Sequence, residues 1–258
     1  MNILQNLLEL YNHLSPDSTY RTVVKGILEN LDQMQNVTIY DIAEITNSSR
    51  TTVWRMVQKM GYSNFSDFRH ALQNAVSQYT YYNRMLPMQE CSDPNRLMKQ
   101  ISMQLKDAAR VLEDNCSAEQ IVSLAEKVYA ADKIRFYLPF QLSLVYSFQQ
   151  NLAKTGKDTA YFGLLPDMLE DAKTLDENSI VFISTIEYAE TLNMHSVFQA
   201  LGQRNAKIWL AGSASTQYHR FADTVLLDVN ASTLSWLTAF EALILALSEY
   251  YRARYIDE

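Results

Sequence analysis

The stretch Thr38-Ile39-Tyr40-Asp41-Ile42-Ala43-Glu44-Ile45-Thr46-Asn47-Ser48-Ser49-Arg50-Thr51-Thr52-Val53-Trp54-Arg55-Met56-Val57-Gln58-Lys59-Met60-Gly61 reads as two short helices around a polar break. Thr38 is an N-cap for a first helix carrying Ile39, Ile42, Ala43 and Ile45. Thr46, Asn47 and Ser48 then supply no apolar side chain. Ser49 caps a second helix from about Arg50 to Met60, and Gly61 ends it. This is the pattern of a helix-turn-helix, followed by a short aromatic tail that reaches Phe68.

At 3.6 residues per turn the second helix has two faces. Val53, Met56, Val57 and Met60 fall on one side. Thr51, Trp54, Arg55 and Gln58 point away, with Arg50 and Lys59 on the flanks. The major groove admits a helix of this width, and helices that read it use N-terminal and outward side chains such as Arg, Thr and Gln. Ser49, Arg50, Thr51, Thr52, Trp54, Arg55, Gln58 and Lys59 are therefore the expected DNA-contacting residues.

The run from Thr52 to Arg69 resembles the signature of the RpiR family of bacterial transcription regulators. The recognition helix of that family opens Ser-x-x-Thr-Val-x-Arg and closes with Gly-aromatic and a segment carrying a second aromatic pair. Ser49, Thr52, Val53, Arg55, Gly61, Tyr62, Phe65 and Phe68 fill those places here. The resemblance covers roughly residues 20 to 75. It implies a double-stranded DNA operator as partner and a regulator of carbohydrate-metabolism genes, not an enzyme.

Charge supports this locally rather than globally. The chain has 22 basic and 29 acidic residues and a formal charge of −7, which repels nucleic acid as a whole. Between Asn47 and Gln73, however, Arg50, Arg55, Lys59 and Arg69 face one acid, Asp67. Binding is thus expected on one small face. A module with few phosphate contacts binds weakly at physiological salt, so a two-fold homodimer on an inverted repeat is expected.

With 258 residues, 48% of them hydrophobic, the chain is long enough for two cores. No apolar run reaches the ~18 to 20 residues of a membrane span, and no signal-peptide layout opens the chain, so a cytoplasmic location is expected. Cys91 and Cys116 form no metal or disulfide pattern, and His13, His70, His195 and His219 are scattered. No metal or cofactor is expected.

Residues 1–82 read as an all-α domain. Its framing helices run from Asn2 to Leu14 and from Tyr20 to Leu31, and a longer one from Phe65 to about Tyr82 closes it. Residues 83–95, with Pro87 and Pro94 around Cys91, Ser92 and Asp93, read as a linker. From 96 to 258, two helices (Arg96 to Asn115, Ala118 to Ala130) lead into alternating strands and helices. The strands are expected at Lys133 to Leu138, Thr159 to Phe162, Ser179 to Ser184, Lys207 to Ala211 and Thr224 to Asp228. Such alternation gives an α/β domain with a doubly wound, parallel, five-stranded sheet.

Order, length and position after the helix-turn-helix make residues 105 to 250 resemble a SIS domain, the phosphosugar-binding module named after sugar isomerases. Asp176 to Ser184 resembles its acidic turn and third strand; Lys207 to Gly212 and Phe221 to Leu226 resemble the fourth and fifth. The resemblance implies dimerisation and sensing of a phosphosugar or other small effector. The family's phosphate loops are glycine-rich, yet Pro139 to Ser143 and Ser184 to Thr191 contain no glycine, and the second holds Glu187 and Glu190. An anion nest needs close backbone approach and no adjacent carboxylate. Ser143, Ser184, Thr185, Thr191 and Ser213 remain as hydroxyl donors for an effector. A phosphosugar isomerase is the alternative reading, as is a regulator whose second domain only dimerises. Glu187, Glu190, His195, His219 and Glu241 show no spacing that singles out a catalytic base.

Overall fold

The computed structural model describes residues 3–77, 86, 88–138, 143–184, 194–212, 217–228 and 232–257. The chain forms two compact units, one built chiefly on Met1–Asn83 and the other on the α/β portion that follows.

The first unit is helical: α1 (Ile3–His13), α2 (Thr19–Glu29), a 3-10 turn (Leu31–Asn36), α3 (Ile39–Ile45), α4 (Arg50–Lys59) and α5 (Phe65–Ser77). Each helix contributes an apolar stripe to one core: Leu4 and Leu7 from α1, Val23, Val24 and Ile27 from α2, Ile42 from α3, Val53, Met56 and Val57 from α4, Phe68 and Leu72 from α5. The expected continuation of α5 to Tyr82 lies outside the described residues. The 3-10 turn has no sequence period long enough to announce it, and it buries Met34 in the same core.

The expected linker contains a helical turn, α6 (Met88–Cys91), and the long helix α7 starts at Pro94 rather than Arg96, running Pro94–Asn115. Proline suits the first helical position because its fixed φ is already helical and its missing N–H has no partner there. Asp93 caps that end by accepting from the Asn95 amide at 2.9 Å. After α8 (Ala118–Ala130) come β1 (Lys133–Tyr137), α9 (Ser143–Lys154), β2 (Asp158–Phe162), α10 (Leu165–Ala172) and β3 (Ser179–Ser184). Then follow α11 (His195–Gln203), β4 (Lys207–Gly212), a 3-10 turn (Gln217–Phe221), β5 (Thr224–Asp228) and α12 (Thr233–Tyr255).

The five strands form one all-parallel sheet in the order β2-β1-β3-β4-β5. This is the doubly wound architecture that the strand and helix alternation predicts. Phe136, Phe182 and Trp209 lie in register on neighbouring strands, with successive ring centroids 5.0 Å apart. Phe148 of α9 meets the first two edge-on, and Tyr251 of α12 in turn packs on Phe148. Aromatic pairs of this geometry add ~0.5 to 1.5 kcal/mol each beyond the area they bury. The first turn of α12 is tied to α7, since Ser235 donates to Gln104 Oε1 at 2.5 Å and to its main-chain oxygen at 3.1 Å, and Ser232 also bonds that side chain.

Arg135, on β1, is a charge within a buried strand, 5% exposed. Its guanidinium grips both oxygens of Asp171 at 3.1 Å, and the Asp158 carboxylate at 3.1 and 2.8 Å. The Tyr137 hydroxyl donates to Asp171 at 2.8 Å. A buried guanidinium is tolerable only when its donors are satisfied in this way. The group pins α10, which carries Asp171, to β1 and β2.

In a doubly wound sheet, ligands bind beyond the carboxyl ends of the strands where strand order reverses. Here the reversal is between β1 and β3. The segments that follow them, 139–142 and 185–193, lie outside the described residues.

Candidate nucleic-acid interface

The two helices of the 38–61 stretch are held by local bonds at each end. Thr38 and Asp41 form a reciprocal capping box: the Asp41 amide donates to Thr38 Oγ1 at 3.3 Å, and the Thr38 amide and hydroxyl donate to the Asp41 carboxylate at 2.7 and 2.8 Å. Those bonds, the backbone one first, hold the Asp41 carboxyl below its usual range. α3 ends with Asn47 at φ 47°, the Ser48 amide reaching Ala43 and the Asn47 amide reaching Glu44. This paired closure requires a left-handed residue, which asparagine supplies more readily than most.

Between the helices, Thr46 is buried and donates its hydroxyl to the Ile42 carbonyl at 2.7 Å. Gly26 of α2 lies against it. A Cβ at position 26 would stand 2.7 Å from Thr46 Cγ2, so the glycine permits the close approach of α2 to the turn.

Ser49 accepts from the Thr52 amide at 3.0 Å and caps α4. Gly61, at φ 89°, closes it with the same paired bonds seen after α3. Tyr62 and Phe65 pack on the buried ring of Phe68 at 5.5 and 5.8 Å, and burial pushes the Tyr62 hydroxyl up to about 12. The aromatic tail therefore anchors α4 and α5 in the core.

With its ends fixed, α4 buries Val53, Met56 and Val57 and leaves Arg50, Thr51, Arg55, Gln58 and Lys59 exposed, with the Ser49 cap also exposed. Thr52 is half-buried, and its hydroxyl bonds the Ser49 hydroxyl at 2.9 Å, which places it in the cap. Trp54 is half-buried too, packed against the core rather than clear of it, because an indole at the edge of the apolar stripe reaches across to cover it. Arg50, Arg55 and Lys59 form no ion pair with any described carboxylate. A narrow face of three open cations with Thr and Gln between them suits an anionic duplex.

Of the residues expected to meet an effector, Ser143 and Ser184 are described. Ser143 is exposed at the start of α9 and Ser184 is buried at the end of β3. Thr185, Thr191 and Ser213 lie outside the described residues, as do Glu187 and Glu190. His195 opens α11, His219 sits in the second 3-10 turn, and Glu241 is half-buried on α12. Among the described residues no group of three or more His, Cys, Asp or Glu could hold a metal, and no helix is long and apolar enough to cross a membrane. Cys91 and Cys116 are free thiols.

Two features went unmarked in the sequence. The Arg135 cluster had one visible signal, a lone arginine inside the apolar run Ile134 to Leu138. The other is Tyr40, 61% exposed on α3, with the Arg50 guanidinium 4.6 Å from its ring centre.

A search of curated proteins finds no match. Among solved structures the chain is similar to the Vibrio vulnificus NanR protein complexed with ManNAc-6P, at 19% identity and TM-score 0.49, over 99% of this chain and 94% of that one. It is also similar to the sugar isomerase domain of an RpiR transcription factor from Sphaerobacter thermophilus, at 14% identity and TM-score 0.46, over 62% of this chain and 90% of that one. Residues 1–79 match the family model described as "Helix-turn-helix domain, rpiR family". The N-terminal unit, with its capped α3 and α4 and its exposed basic face, is thus similar to the rpiR-family helix-turn-helix domain over residues 1–79.

Proposed function

We propose that this chain is a sequence-specific transcription regulator, that α4 reads the major groove, and that the α/β unit brings two copies together. The observation that carries the reading is the exposed face of α4 in a helix-turn-helix domain, where Arg50, Arg55 and Lys59 are free of ion pairs with described carboxylates. The test is selection of bound duplexes from a random pool, with the mass of the free protein measured by light scattering. Enrichment of an inverted repeat and a dimeric mass are expected. No enrichment, or a monomer protecting a single half-site, would contradict the reading.

The α/β unit is proposed to dimerise and to sense a ligand other than an ordinary phosphosugar. The segments after β1 and β3, Pro139 to Ser143 and Ser184 to Thr191, contain no glycine in their sequence, and Glu187 and Glu190 add like charge. A phosphate there loses backbone N–H contacts and meets carboxylates. Titration calorimetry with hexose phosphates and amino-sugar phosphates is expected to give dissociation constants of roughly millimolar or weaker, near −4 kcal/mol. A micromolar constant for any of them would refute this, and Ser184→Ala and Thr191→Ala would then locate the site.

A further inference from the structure

We propose that Tyr40 and Arg50 form a clamp on a DNA backbone phosphate, a role that rests on the DNA-binding reading and divides the work of the face between positioning and base reading. Tyr40 lies in the first turn of α3, and Arg50 is the first residue of α4. Their contact, with the guanidinium carbon 4.6 Å from the ring centre, joins the leading ends of the two helices of the motif. Tyr40 does not belong to the apolar core, and at 61% exposure its ring gains little from folding. What the ring does is hold Arg50.

A guanidinium stacked on an aromatic face keeps its N–H edge open, and the stacking fixes the side chain before a partner arrives. No described carboxylate competes for it. The nearest acid in sequence to Tyr40, Asp41, is committed to Thr38. The Tyr40 hydroxyl bonds no described residue and is free to donate. In a helix-turn-helix the first helix crosses the sugar-phosphate backbone while the second enters the groove. A group shared by the leading ends of both therefore sits at the groove's rim, where phosphates are. Arg and Tyr are both common phosphate donors, and such contacts set register without reading sequence.

The test uses fluorescence anisotropy with two labelled duplexes, one of random sequence and one recovered from a pool by the wild-type protein, each over a salt series. Arg50→Ala is expected to weaken both by a similar factor and to reduce the log–log salt slope by about 0.9, one phosphate's worth. Tyr40→Ala should weaken both, and Tyr40→Phe, which keeps the ring and loses the hydroxyl, should do so less. In the Arg50→Ala background the effect of Tyr40→Ala should shrink, since the pair acts as a unit. Wild-type affinity in Tyr40→Ala overturns the clamp. So does a changed sequence preference with an unchanged salt slope, which would make the pair a base reader. If the wild-type protein recovers no duplex from the pool and does not bind the random one, the DNA-binding reading fails and the clamp fails with it.

Discussion

Arg135→Ala is expected to destabilise the α/β unit by about 3 kcal/mol or more, because removing one partner of a buried pair leaves the other charged and unpaired. The stranded group is Asp171, whose side chain is 10% exposed and keeps only the Tyr137 hydroxyl among the bonds of this cluster. Asp158, 58% exposed, returns to water at little cost. Urea unfolding followed through the buried Trp209 and Trp236 measures the loss, and a change under about 1 kcal/mol would show that the cluster is better solvated than its burial implies. Acid adds a second reading. Hydrogen bonds from Arg135 hold the Asp158 carboxyl below its usual range. Its contribution is therefore complete above the ordinary carboxylate value of about 3.9 and is lost as pH falls through the lower folded one. In Arg135→Ala that part of the acid sensitivity should vanish.

Arg55→Ala is the corresponding loss on the DNA side. Arg55 is exposed at the centre of the outward face of α4 and makes no ion pair with a described carboxylate. A bidentate arginine–base contact is worth ~1 to 3 kcal/mol of discrimination. Binding to the selected duplex should fall by about fivefold to a hundredfold, while binding to a random duplex falls much less. Melting of the free protein should not move, since no core contact is removed. Equal losses on both duplexes would make Arg55 another phosphate contact, and no loss on either would remove it from the interface.

Much of this architecture was legible because its determinants are local. The stripe Val53, Met56, Val57, Met60 and the caps at Ser49 and Gly61 act within a turn or two of the chain, so spacing alone locates α4. The strands likewise stand out as short β-rich runs between helices, and β3 and β5 have the bounds that the sequence implies. What escaped depends on distance or on side-chain reach. Arg135 meets Asp158 and Asp171 across 23 and 36 residues, and only the folded sheet brings them together. Trp54 has the position of an outward residue and the size to fold back on the core. Pro94, a helix breaker in an interior, becomes a helix starter once Asp93 caps the end.

The half-buried setting of Trp54 gives the protein an optical property. Of the three tryptophans in the chain, Trp209 and Trp236 are 2% and 1% exposed within the α/β core. Trp54 alone is open to quenchers in water, and it sits on the helix that would meet the duplex. The free protein thus carries a built-in reporter of that helix: acrylamide quenches its emission while the other two indoles form a shielded background. A duplex seated on α4 would withdraw the quenchable fraction without any label having been attached.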